Sequence, residues 1–294
     1  MVPTKERNHL STALEYEGNL FLFDCGENTQ KQIKLMKLPI GKIRKIFISH
    51  WHGDHVLGLP GLIQTLSNTD NVKKIEIYGP KDSKKYVKHM IECTIFESSI
   101  PIEVFEFKPK SNDILIVVDE KTYEISCCKL NHSVPCIGYS FKKKDSLNVD
   151  IEKARKFDLE KNPKLAEIKS GKTIEHNGKT INPKDLTYMK KGVKICFVFD
   201  TRPCIGIDLL VKNCEYLVME ATFLYSKHKD KAEEYDHMSA FETATIAKKN
   251  NVGTLLLTHF SQRYKEVDEL EAEAKSVFEN TVCGHDLMTF KIKK

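Results

Sequence analysis

Between Phe47 and Leu62 the chain reads FISHWHGDHVLGLPGL, which sets His50, His52, Asp54 and His55 within six positions at the junction of two apolar runs. Groups that prefer water or a metal are thus concentrated where a strand should hand over to a helix. The arrangement recurs along the chain: His132 follows EISCCKL by one residue, Asp200 follows KICFVF, and His259 follows TLLLT. In layered α/β folds the loops beyond the carboxyl ends of strands converge, so four such strand exits imply one site on a sheet-based scaffold.

Short apolar or alternating runs predict strands at Leu20–Phe23, Ile43–Ile48, Ile75–Tyr78, Glu103–Phe107, Leu115–Val118, Tyr123–Lys129, Ile137–Phe141, Ile195–Phe199, Tyr216–Met219, Leu255–Thr258 and Leu287–Ile292. Helices are predicted at Thr29–Leu38, Leu59–Leu66, Lys81–Phe96, Ser239–Lys249 and Glu266–Phe278, and Ser239 stands three residues before Glu242, the spacing of a capping box. Strand-rich stretches broken by single helices suggest two sheets between helical layers.

With 294 residues, 40% of them hydrophobic, the chain can bury the core of one large domain, or of a domain with an insertion. There is no apolar run of the ~20 residues needed to span a bilayer, and MVPTKERNHLS lacks the apolar centre of a signal peptide, so a soluble, cytoplasmic protein is expected. The nine cysteines are scattered without a CxxC, which reads as reduced, buried thiols rather than a disulfide framework. The net charge of +5 is unevenly spread: residues 142–194 hold 15 Lys and Arg against 8 Asp and Glu, the rest 31 against 33. That basic segment is poor in large apolar residues and rich in turn signals, and it reads as a protruding arm inserted in the domain.

His50 and His52, two apart in an extended segment, project to the same side and can share one ion. Asp54 and His55 follow Gly53, which permits a sharp turn, and project the other way, towards a neighbouring ion. Imidazole and carboxylate donors suit zinc, and His50, His52, Asp54, His55, His132, Asp200 and His259 are more groups than one ion needs.

FISHWHGDHVLGLPGL, LNHSVPCIGY, FVFDTRPC, MEATF, DHMSA and LTHFSQRY, with PTKERN and LFDCGENTQKQ near the start, resemble ribonuclease Z of the metallo-β-lactamase superfamily over essentially the whole chain. The resemblance implies an α/β fold, the metallo-β-lactamase αββα sandwich, carrying an inserted basic exosite arm over residues 142–194. It implies an endonuclease that removes the 3′ trailer from transfer RNA precursors. Two zinc ions per subunit are implied, one on His50, His52 and His132, the other on Asp54, His55 and His259, with Asp200 bridging. Asp54 would also orient or deprotonate water, and Glu220 with His237 would protonate the leaving oxygen. The arm, with Lys164, Lys169 and Lys172, would grip precursor tRNA, Lys5, Arg7 and Asn8 would lie beside the cut, and the subunits would form a homodimer.

The chain departs from the family pattern in places. It reaches Pro3 at once where relatives first carry an apolar strand, so either the start site is misplaced or an edge strand is missing and that sheet edge is open. The arm lacks a Gly-Pro pair and keeps only LAEIKSG, while Phe199, Met219 and Ala240 stand where Gly, His and Thr are frequent. Two rival readings are a phosphodiesterase of the same superfamily acting on small substrates and a non-catalytic RNA-binding relative.

Overall fold

The computed structural model of the chain describes residues 2–292. Its first part runs β1 (Thr12–Tyr16), β2 (Asn19–Phe23), α1 (Thr29–Leu35), β3 (Ile43–Phe47), α2 (Gly53–Val56), α3 (Leu59–Ser67), β4 (Ile75–Pro80), α4 (Ser83–Glu92) and β5 (Ile102–Phe107). These strands form a five-stranded sheet in the order β1-β2-β3-β4-β5. β1 and β2 are an antiparallel hairpin whose turn residues Glu17 and Gly18 both have positive φ, the two-residue turn that matches strand twist. The remaining pairs are parallel, and each parallel step is bridged by helix.

The chain continues with β6 (Ile114–Asp119), β7 (Tyr123–Lys129), β8 (Ile137–Lys143), β9 (Ser146–Val149), α5 (Ile151–Arg155), α6 (Leu165–Lys169), β10 (Ile174–His176), β11 (Lys179–Ile181), α7 (Pro183–Leu186) and β12 (Thr187–Lys190). It ends with β13 (Lys194–Val198), α8 (Ile205–Val211), β14 (Tyr216–Glu220), α9 (Tyr225–Glu234), α10 (Ala240–Lys249), β15 (Thr254–Thr258), α11 (Asp268–Lys275) and β16 (Thr281–Cys283). A seven-stranded sheet takes the order β16-β15-β14-β13-β8-β7-β6.

Alternation along the strands builds the layers. Leu20, Leu22, Ile43, Ile46, Ile75 and Ile77 turn to the helices and cluster with Leu59, Leu62, Ile63 and Val87. Their neighbours Phe21, Phe23, Phe47 and Tyr78 turn to the second sheet, so strands buried on both faces read as continuous apolar runs. Phe23 stacks on Phe197 of β13 at 3.7 Å, Phe47 meets Tyr139 of β8 edge-on at 5.3 Å, and the Tyr139 hydroxyl donates to the Ile48 carbonyl at 2.9 Å. Cys196, Val198, Leu217, Met219, Leu255 and Leu257 on the far face pack with Leu210, Ala244 and Leu270 of α8, α10 and α11. The result is helix, sheet, sheet, helix.

The expected capping box is formed: the Ser239 hydroxyl accepts from the Glu242 N–H, and the Glu242 carboxylate from the Ser239 N–H at 2.9 Å. Of the cysteines, Cys93 is exposed and Cys204 half-buried; the rest are buried and all are free thiols. Among the described residues no helix is long and apolar enough to cross a membrane. The expected strand at Leu287–Ile292 is absent; β16 is Thr281–Cys283, because the run that can continue the parallel register beside β15 is the one opposite Leu255–Leu257.

Residues Glu120–Glu124 and Lys142–Val193 make a compact unit of their own. It is folded rather than a bare loop: Ala154, Leu159, Ile168, Ile174, Ile181 and Leu186 are a buried cluster, edged by Val149, Phe157 and Leu165. The scarcity of apolar residues in this segment therefore misleads, since those few converge. The antiparallel β9–β12 pair is closed by the Asp150 N–H donating to the Leu186 carbonyl at 2.8 Å.

Candidate metal centre

Every ligand-type residue singled out lies at a strand exit. His50 and His52 follow β3, with His52 as N-cap of α2 and Asp54 and His55 inside that short helix. Gly58 lets this segment lie on the β2–α1 link, because a Cβ there would stand 2.1 Å from the Gly26 carbonyl oxygen. His132 follows β7, Asp200 follows β13, Glu220 ends β14, and His259 follows β15 with a left-handed φ of 60°. Left-handed backbone at a non-glycine residue is costly and persists where surrounding contacts hold it.

Two donor sets converge on Asp200. In the first, His50 Nε2 lies 3.0 Å and His132 Nε2 3.3 Å from His52 Nδ1, and Asp200 Oδ2 lies 3.5 Å from His50 Nε2. In the second, His55 Nε2 lies 3.5 Å from Asp54 Oδ2 and 3.3 Å from Asp200 Oδ2, while His259 Nε2 lies 3.4 Å from Asp54 Oδ2 and 3.2 Å from Asp200 Oδ1. Donors at the corners of a tetrahedron about 2.0–2.1 Å from a cation stand about 3.3 Å apart, which is the spacing found. Buried His55 Nε2 and Asp200 Oδ1 have no hydrogen-bond partner among the described residues, although both face other donors of the cluster. Together these atoms fit a metal.

The charges agree. Burial lowers His50 and His52, with further lowering from neighbouring imidazoles, so their lone pairs are free to coordinate. Burial disfavours the Asp200 charge, but His259, His55 and His50 outweigh it and hold the carboxyl well below the usual range. Burial likewise opposes charge on His55, yet Asp200 and Asp24 push it well above the ordinary imidazole value, so this half of the centre demands positive charge.

The second nitrogens of His50, His55, His132 and His259 are held too, which fixes which nitrogen faces the centre. His50 Nδ1 donates to the Ser49 hydroxyl at 3.0 Å, His132 Nδ1 to the Asp236 carbonyl at 3.1 Å, and His259 Nδ1 to the Thr222 hydroxyl at 3.0 Å. His55 Nδ1 donates to Asp24 at 2.6 Å, and the same buried carboxylate accepts from the Ser49 N–H and hydroxyl, each at 2.7 Å. Asp24 and Thr222 were not singled out from the sequence, although Asp24, just past LFLF, obeys the strand-exit rule applied to the others. Asp24→Ala is expected to weaken metal binding by roughly 10- to 100-fold. A competition titration against a chromogenic chelator reads this directly; unchanged affinity would remove Asp24 from the centre's support.

Beside the two sets stands a third pair. His237 Nδ1 donates to Glu220 at 3.1 Å, and that wholly buried carboxylate also accepts from the Thr201 N–H at 2.6 Å, the Met238 N–H at 3.1 Å and the Thr222 hydroxyl at 2.6 Å. So many donors leave Glu220 little capacity for an ion, and it serves as a fixed counter-charge. Burial opposes the imidazolium, but Glu220 outweighs it and raises His237 to about 9. Arg202 adds a brace, donating to the His237 carbonyl at 2.5 Å and to Glu242 at 2.8 Å. His237 and the donor sets open into a cleft of about 300 Å³.

The residues expected near RNA divide. Lys5, Lys164, Lys169 and Lys172 are exposed, although Lys164 Nζ donates to the Glu175 carbonyl at 2.7 Å. Arg7 donates to the carbonyls of Ser261 and Tyr264, and Asn8 donates to Asp286 at 2.6 Å. Arg7 thereby braces the loop beyond His259, and Asn8 ties the amino-terminal segment to Asp286.

Known proteins accord with this centre. The chain is 39% identical to ribonuclease Z of Methanococcus maripaludis over 99% of its length and 96% of that protein's, and 34% identical to ribonuclease Z of Methanocaldococcus jannaschii over 100% and 94%. The structure of human tRNase Z, short form, superposes with a TM-score of 0.73 at 27% identity, covering 100% of this chain and 96% of the human one. YhfI of Bacillus subtilis, a metallo-β-lactamase fold protein, shares the fold with a TM-score of 0.66 at 18% identity, over 97% and 92% of the two chains. A family model described as Anti-Pycsar protein Apyc1 matches residues 3–132, less than half of the chain. A metallo-β-lactamase-fold sandwich, His and Asp clusters of metal-binding type, and more than a third of positions shared along the full length place this chain in the ribonuclease Z family.

Proposed function

We propose that the chain is a zinc-dependent endoribonuclease that removes the 3′ trailer from tRNA precursors and leaves a 3′-hydroxyl on the tRNA. The observation that carries this reading is the convergence of both donor sets on Asp200 in a chain that matches a ribonuclease Z over 99% of its own length and 96% of the relative's. His50, His52, His132 and Asp200 would hold one ion, and Asp54, His55, His259 and Asp200 the other. Such a pair, when bound, supplies Lewis-acid polarisation of the phosphodiester and a nucleophilic water at neutral pH.

The chain's own groups supply the rest. Asp54 lies in the cleft wall beside His259, where its carboxylate can orient the water and take its proton. His237, kept cationic by Glu220, gives a proton to the departing ribose 3′-oxygen, a poor leaving group without it. Incubating purified protein with a tRNA precursor tests the reading: trailer release that a chelator stops and added zinc restores is expected. Cleavage that ignores the chelator, or none in the zinc-loaded protein, would sink it.

The basic unit over residues 142–194 supplies affinity by neutralising phosphates, a sequence-independent and salt-dependent interaction suited to folded RNA. Lys5 and the arm lysines Lys164, Lys169 and Lys172 are its proposed contacts, and a homodimer in which one subunit's arm serves its partner's centre is the proposed assembly. Val149 pairs with Thr187, so residues 150–186 can be replaced by an Asn-Gly turn that keeps the β9–β12 pairing as a hairpin. This variant is expected to lose precursor cleavage by roughly 100-fold or more at physiological salt while hydrolysis of bis(p-nitrophenyl) phosphate is spared. Equal loss of both would refute an RNA-binding role.

A further inference from the structure

The cleft has an aromatic side that the proposed chemistry does not use. Phe223 and Tyr235 line it together with His237. Tyr235 is 49% exposed, and its ring lies nearly parallel to Phe223, with centroids 6.4 Å apart and planes at 23°. Phe223 in turn stands 6.2 Å from the His237 ring. The guanidinium of Arg263, an exposed residue, sits 4.8 Å above the Phe223 ring. The half-exposed Lys231 ammonium stands 5.4 Å from the Tyr235 centroid and can swing into solvent with Glu234. A half-exposed aromatic ring, a buried ring behind it and cations at the rim are the parts from which stacking sites for unpaired bases are made.

Position decides which base. The proton donor must come within about 2.6–3.2 Å of the oxygen that leaves, so the ribose bearing that oxygen lies against His237. Its base hangs two ribose carbons away, within reach of the ring pair beside His237. We infer that Tyr235, backed by Phe223, is a stacking subsite for the nucleobase of the residue that becomes the 3′ end of the product. The inference rests on the endonuclease reading and extends it. Stacking of this kind accepts any base and favours purines by their larger face. Tyr235 acts on the base alone, and the proton transfer remains with His237.

The test compares wild-type protein with Tyr235→Ala and Tyr235→Phe on two precursors, one complete and one abasic at the nucleotide 5′ to the cut. On the complete precursor Tyr235→Ala is expected to lose about 5- to 100-fold in kcat/KM, and Tyr235→Phe to stay within about twofold of wild type. On the abasic precursor wild type is expected to be slowed by a similar factor, and Tyr235→Ala to add little to that loss. Full activity of Tyr235→Ala, or an equal loss on both precursors, overturns the subsite. If the zinc-loaded wild type cleaves neither precursor, the endonuclease reading itself falls and the subsite with it, an outcome distinct from the other two.

Discussion

Asp200→Ala is expected to strip the protein of both proposed ions and to lower precursor cleavage by more than about 1000-fold. Asp200 Oδ2 lies 3.5 Å from His50 Nε2 and 3.3 Å from His55 Nε2, and Oδ1 lies 3.2 Å from His259 Nε2, so one carboxylate neutralises both halves of the centre. Its removal leaves five imidazoles and the single carboxylate of Asp54 around a gap, too little negative charge to offset two divalent cations. Metal content of the purified variant, measured against wild type prepared in parallel, is the direct readout. Asp200→Asn preserves the shape without the charge and is expected to lose metal as well, which separates electrostatics from packing. Retention of two ions and of activity in the alanine variant would break the proposed ligand assignment.

His237→Ala is expected to behave differently, losing roughly 100- to 10,000-fold in kcat on precursor RNA while its metal stays bound. The ring belongs to neither donor set converging on Asp200; its Nδ1 is engaged by Glu220 and its Nε2 stands 3.9 Å from Asp200 Oδ2. A small diester with p-nitrophenolate as leaving group needs no proton on departure, so the variant's deficit should shrink sharply on that substrate. Loss of metal together with turnover, or an equal deficit on both substrates, would show that His237 does not donate the proton.

Much of the centre is legible in the sequence because its chemistry is local. His50 and His52 project together since an extended segment repeats every second residue, and Gly53 opens the short helix that turns Asp54 and His55 towards the neighbouring donor set. Strand exits after runs such as KICFVF and TLLLT are visible because strands buried on both faces are written as uninterrupted apolar stretches. What is invisible is whatever depends on distant partners. Asp24 and Thr222 support His55 and His259 through hydrogen bonds across 31 and 37 positions, and nothing nearby in sequence marks either link. Helix α9, YSKHKDKAEE, has almost no apolar face, and β1, TALEY, is an edge strand with one buried residue, so neither carries a periodic signal. Phe199, a departure from the family pattern, proves to be a buried ring 6.5 Å from His55.

The sequence by itself determined the donor types, their spacing around Gly53 and the sandwich of two sheets, because each follows from backbone geometry and from the period of apolar residues along a few turns or strands. Tertiary structure alone decided that Asp24 and Thr222 hold the second nitrogens of His55 and His259, that Arg7 braces the loop past His259, and that sparse apolar residues close a core in the basic segment. Those facts are distances between atoms far apart along the chain, set by packing, which no local pattern of residues encodes.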